Sequence, residues 1–219
     1  MARQGNIREA SQRMHASGDM GISHRLDYTS AKMGMWIFLF TEIIFFGGLF
    51  LVYSVYRTKY ALEFRSGAGE LSLWMGAANT AVLLTSSLTM ALSIAFLKNG
   101  RKRLSLVSQG MTIFLGAVFL IIKVLEWHAH IEQGFYPDSP GLPSMNRGEI
   151  IFFSLYYVMT GLHGLHVFIG VGLVSGLLVL TIRGAIHSQD FIKLENGGLY
   201  WHLVDIIWIY LFPLFYLIT

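Results

Sequence analysis

Apolar residues in this chain run in long unbroken blocks, and the polar residues gather in the intervals between them. Five blocks exceed the roughly 18 residues at which a hydrophobic run reads as a membrane crossing: Lys32 to Tyr56, Ser72 to Leu97, Leu104 to His128, Glu149 to Ile182 and Leu199 to Ile218. Each supplies the ~20 residues that a hydrocarbon core about 30 Å thick requires, and the fourth is long enough to tilt or project beyond the bilayer. The ten-residue alternation of a membrane barrel is absent. The pattern therefore predicts an all-α integral membrane protein with five transmembrane helices. Residues 1–31 are polar, carry Arg3, Arg8, Arg13 and Arg25, and lack the apolar core of a signal peptide. They read as an amino-terminal arm ahead of a membrane domain over residues 32–219. Between the third and fourth spans, Pro137, Pro140 and Pro143 crowd with Gly134 and Gly141 into a turn region.

Composition agrees and narrows the chemistry. Hydrophobic residues make up 54% of the chain and charged residues 13%, about half the ~25% charge of a soluble domain. With no cysteine, the chain has no disulfide framework, thiolate zinc site, covalently attached haem or cysteine-bridged dinuclear copper. The net charge of +3 is unevenly placed. Eleven Lys and Arg fall on the amino-terminal segment up to and including Lys32 (five), on the loop after span two (Lys98, Arg101, Lys102, Arg103) and on the loop after span four (Arg183, Lys193), against four on the opposite side. Positive loops stay inside, so the amino terminus is predicted inside and the carboxyl terminus outside. Segregation by membrane side, in place of a basic soluble module, points to lipid headgroups and away from nucleic acid.

An ionisable group in hydrocarbon costs at least about 2.5–3.5 kcal/mol on insertion scales, so each one demands a partner. The spans hold Glu42, Lys123, Glu126, His163, His166, His202 and Asp205. At 1.5 Å per residue, Glu42 lies roughly 15 Å from the inner end of span one, and His166 roughly 20–25 Å from the inner end of span four. His163 is one turn further out. A contact between Glu42 and one of these histidines, or a polar lipid between them, is expected in a central layer. Lys123 and Glu126, three residues apart, are expected to neutralise each other; His202 and Asp205 repeat the spacing near the inner end of span five and are expected to clamp together. The histidine pair His163/His166 is too small for a closed metal site, and His202 lies in a shallower layer than His163, which disfavours a b-type haem. No metal or haem is expected in this chain. Asn79, Ser86 and Ser93 recur every seven residues, and Gly164, Gly172 and Gly176 step by multiples of four; both patterns read as helix packing.

Several strings resemble subunit III of the haem-copper terminal oxidases: GMWIFLFTEIIFFGGLF from Gly34, ANTAVLLTSS from Ala78, TGLHGLHVFIG from Thr160 and YWHLVDIIWIYLF from Tyr200, with LEWHAH from Leu125 between them. They follow one another in order from about Lys32 to Ile218. The resemblance implies a cofactor-free subunit packed beside a catalytic subunit I, with subunit II and a small subunit IV as further partners. Haem and copper then belong to the partners, in a complex of the cytoplasmic membrane of a prokaryote that reduces dioxygen and pumps protons. It also implies that Glu42, His163 and His166 belong to the polar interior of a phospholipid-holding cleft, that Arg183 meets headgroups at the inner surface, and that the subunit steadies the proton-uptake route of subunit I. The chain looks like the five-helix form, without the two leading helices that build one wall of that cleft in longer relatives; another subunit would supply it. Lys123 stands where relatives usually have a neutral or acidic residue. Two other classes remain open on sequence: an accessory protein of nitric oxide reductase with the same fold, and a stand-alone transporter or membrane hydroxylase.

Overall fold

The structure, a computed structural model, describes the backbone of residues 2–132 and 146–218 and the side chains of residues 29–132 and 146–218. The proline-rich turn region and the arm's arginines lie outside these side chains. Six helices follow in order: α1 (Ala2–Lys59), α2 (Ala61–Gly69), α3 (Leu73–Lys98), α4 (Lys102–Glu132), α5 (Arg147–Ile182) and α6 (Ile192–Tyr216). Five are long and apolar enough to cross a membrane: α3 to α6 and the Thr29–Lys59 portion of α1. Residues 1–41 and 42–219 form two compact units. The first is helical from Ala2.

The helix ends follow from local chemistry. Ser72 caps α3 by accepting the Met75 amide, and the Asn146 amide donates to the Glu149 carboxylate at the start of α5, each satisfying a donor that the first turn leaves unpaired. α3 and α5 stop at Gly100 and Gly184, whose φ of +71° and +79° suits glycine. Arg101 N then donates back to Phe96 O and Ala185 N to Leu180 O, the closing bond of a left-handed helix terminus.

Two elements differ from expectation. α2 falls in the interval between the first two spans, where the apolar pattern predicts no helix; its Phe64 is fully buried against Tyr53 and Phe152, which holds the short helix on α5. α6 starts at Ile192, seven residues before the expected Leu199, because Glu195 in its first turn pairs with Lys98 at 2.7 Å. His202 and Asp205 thus lie a further two turns into the helix, near its middle and not near its inner end.

In the second unit, α3, α4, α5 and α6 pack in a ring, each on the next and α6 back on α3. Neighbours run antiparallel: Thr89 meets Thr112, Lys123 meets Tyr156, and Ser87 meets His202. Trp201, with 0% exposure, fills the centre. Its Nε1 donates to Ser86 Oγ at 3.0 Å, and its ring lies where a Cβ on Gly116 or Gly170 would come within 2.7 and 3.0 Å. Without a hydrophobic drive between helices in lipid, such close approach is the main source of cohesion. Trp208 repeats the arrangement two turns later, donating to Thr80 Oγ1 at 3.0 Å and packing edge-on to Phe119 at 4.9 Å.

The heptad seam is where expected: Asn79, Ser86 and Ser93 are all fully buried. The glycine stripe is a correction. A Cβ at Gly164, Gly172 or Gly176 would meet nothing within 4 Å, so they are not contact glycines among the described residues. Gly170 of α5 instead faces the bulk of Trp201, and Gly148 and Gly161 also lie against neighbours, while Gly172 and Gly176 turn outward.

Candidate functional site

Three polar clusters lie between the helices. In the first, Glu42 of α1 and His166 of α5 meet, with Oε2 and Nε2 3.1 Å apart and the side chains 17% and 15% exposed. His166 Nδ1 is 2.7 Å from the Leu162 carbonyl. A carbonyl only accepts, so Nδ1 carries a hydrogen. Nε2 then either donates to a Glu42 carboxylate or accepts from its protonated form; both states contain one shared proton and no net charge. A neutral pair is the inexpensive way to hold two ionisable groups in hydrocarbon. Phe46 packs edge-on to the imidazole at 5.3 Å, and Tyr200 Oη donates to the His166 carbonyl at 3.0 Å. Beginning one residue beyond Glu42, a groove of about 380 Å³ opens between α1 and α6, lined by Ile43, Phe46, Phe50, Leu203 and Tyr210.

His163 does not join this pair. It is 0% exposed, lies against Phe119 and Trp208 at 5.5 and 5.2 Å, and neither ring nitrogen has a hydrogen-bond partner among the described residues. One turn of α5 therefore separates the histidines into different environments, and the enclosed one cannot reach a lipid.

The second cluster centres on Lys123 and Glu126. The expected pair forms at 2.9 Å, but two tyrosines unforeseen from sequence complete it. Lys123 Nζ also donates to Tyr156 Oη at 3.1 Å and Tyr216 Oη at 2.6 Å. Both hydroxyls donate to Glu126 Oε1, at 3.1 and 2.5 Å. An ammonium has three hydrogens, and all three are placed. The network ties α4, α5 and the last residue of α6 into one closed unit.

The third cluster corrects an expectation. His202 and Asp205 do not bond each other: His202 Nδ1 lies 2.6 Å from Ser87 Oγ on α3, and neither Asp205 oxygen has a hydrogen-bond partner among the described residues. The spacing puts the two on one side of α6, but the cross-helix hydroxyl captures the imidazole. Arg183 is exposed at the carboxyl end of α5. Beside it, Lys102 Nζ donates to the Ile182 carbonyl at 3.1 Å. Tyr156 and Tyr216 carry no sequence signal beyond being aromatic residues inside apolar spans, and Trp201 and Ser87, although they fall in strings that carry the resemblance, have no spacing that marks their cross-helix contacts.

These features define a multi-pass helical membrane protein with polar clusters between its helices; among the described residues no three of His, Asp or Glu converge as a metal site would require. Over residues 14–219 the chain matches the family described as cytochrome c oxidase subunit III; it belongs to that family and is a subunit III of a haem-copper terminal oxidase. It is 34% identical over 188 residues to the cytochrome c oxidase subunit 3 of Thermostichus vulcanus, covering 85% of this chain and 87% of the relative. It is 30% identical over 189 residues to a probable quinol oxidase subunit 3 of Staphylococcus haemolyticus, covering 85% and 88%. A haem-copper oxidase subunit I+III of Aeropyrum pernix is 30% identical over 195 residues, covering 85% of this chain and 22% of that relative.

Proposed function

We propose that this chain is the cofactor-free scaffold of a proton-pumping terminal oxidase in a prokaryotic-type cytoplasmic membrane, with its amino terminus inside. It steadies subunit I and that subunit's proton-uptake route, and it holds phospholipid. Subunit II and a small subunit IV complete the complex. The observation that carries this reading is the Glu42–His166 pair, a neutral polar contact at the mouth of an apolar groove. An acyl chain fits the groove, and a polar linkage fits the pair. Arg183, exposed at the end of α5, suits a headgroup phosphate. Direct attachment to subunit I is supported by the Aeropyrum pernix relative, whose name joins I and III. Cytochrome c and quinol oxidases both occur among the relatives, which supports assigning donor choice to another subunit.

The test is lipid analysis of the complex isolated through a tag on this chain. Glu42→Ala and His166→Ala should lower the retained phospholipid per haem while leaving the haem spectrum unchanged. A normal lipid complement together with an altered haem spectrum would contradict the reading.

A further inference from the structure

A second groove, of about 240 Å³, runs between α4 and α5, walled by Leu120, Val124 and Trp127 of α4 and by Gly161, Gly164 and Phe168 of α5. It is not part of the Glu42 site. Successive helical residues are about 100° apart, so Gly164 and Phe168, each two residues from His166, point to the opposite side of α5 from the imidazole that meets Glu42. The glycines open the groove: a Cβ at Gly164 would meet nothing within 4 Å, and one at Gly161 would stand 3.3 Å from the Trp127 indole.

Three features define what fills it. The first is polarity. Lys123 and Thr160 also line the groove, but the Lys123 ammonium gives its three hydrogens to Glu126, Tyr156 and Tyr216, and Thr160 Oγ1 donates to the Tyr156 carbonyl at 2.6 Å. Trp127 Nε1 is enclosed. The walls therefore offer an occupant apolar surface. The second feature is access. Val124, Leu165 and Phe168 stand 62%, 52% and 66% exposed along the edges. These ridges hold off a second helix, about 10 Å across with its side chains, but admit a single polymethylene chain. The third is depth. α4 has 31 residues and at 1.5 Å each spans about 46 Å, close to the ~40–45 Å of a bilayer with its headgroup regions. Trp127, five residues before the last residue Glu132, lies roughly 7 Å below that end, where headgroups give way to hydrocarbon. There it packs edge-on to Tyr157 of α5 at 5.7 Å, and Trp and Tyr are the residues that gather at this level. From that pair the groove descends about 10 Å to Leu120.

We propose that the α4–α5 groove binds one acyl chain of a phospholipid from the leaflet on the α2 side. Its ester end lies at Trp127 and Tyr157, and its methylenes pass over Gly161 and Gly164 toward Phe168. The site is separate from the lipid contact at Glu42 and does not depend on it.

Photolabelling of the purified oxidase complex in lipid bilayers tests this. Two phosphatidylglycerols serve as probes, one with a diazirine near the ester end of its acyl chain and one with it near the methyl end. In the wild type the first should label the groove at Trp127 and Gly161, and the second at Leu120 and Phe168. Gly164→Leu, whose added atoms enter the groove, should lower both by about tenfold, within the range that overpacking an occupied site costs. Gly172→Leu, on α5 outside the groove, and Glu42→Ala, at the other contact, should label as the wild type does. The order of the two probes decides the matter even where Gly164→Leu fails to assemble. The proposal is overturned if the probes mark the groove without that order, if Gly164→Leu labels as fully as the wild type, if Glu42→Ala abolishes the labelling, or if another subunit covers the groove and it takes no label.

Discussion

Lys123 and Glu126 show how far a spacing rule reaches. Residues three apart on a helix are neighbours, so their pairing is legible in sequence; Tyr156 and Tyr216, which lie 33 and 93 residues from Lys123, are not. Both hydroxyls are needed to satisfy the ion pair, and removing one charged member leaves the other buried and uncompensated. Lys123→Met alone should therefore destabilise the subunit by about 3–5 kcal/mol, and the double change Lys123→Met with Glu126→Leu should recover most of that loss. Denaturation midpoints in a double-mutant cycle measure it; a double variant as damaged as the single one would contradict the closed network. His202 and Asp205 share the spacing without bonding, because a competing hydroxyl from another helix decides which way the imidazole turns. Spacing proposes neighbours, and cross-helix partners select among them. The same lesson separates His166 from His163: both fall in the expected layer, yet only the former reaches Glu42.

At the scale of the helices, the five spans were readable because a hydrocarbon core about 30 Å thick imposes a minimum length on every crossing. Which face each helix buries was only partly readable. The serine and asparagine seam of α3 turned inward as its seven-residue period indicated. The glycine period of α5 marked a stripe that faces outward, while the decisive small residues, Gly116 and Gly170, stand opposite Trp201. Period alone does not record the size of the residue across the interface. Gly116→Ala and Gly170→Ala should each cost about 1–3 kcal/mol through overpacking, whereas Gly172→Ala should fall within about 0.5 kcal/mol of the wild type for the isolated subunit. Thermal unfolding of the three variants checks the contrast. Equal effects at all three positions would refute the central role of Trp201.

For the whole molecule, the orientation proposed from charge bias has a direct assay. The chain has no native cysteine, so single substitutions report cleanly. Arg101→Cys, in the α3–α4 turn, should react with an impermeant maleimide only when the cytoplasmic side is accessible. Glu63→Cys in α2 should react from the opposite side, and the reverse pattern would invert the proposed orientation. The architecture of five spans was legible because hydropathy is a property of every residue in a span. The tertiary position of α2 and the early start of α6 were not, because each depends on one partner brought by another helix: Phe152 for Phe64 and Lys98 for Glu195. The central claim is that the acid and imidazole at mid-membrane brace the complex and take no part in its turnover. The most direct measurement is the time course of oxygen consumption by an assembled Glu42→Ala complex. The account predicts an initial rate close to that of the wild type followed by faster loss of activity with continued turnover. Immediate loss of all activity, with haem content and subunit composition intact, would contradict it.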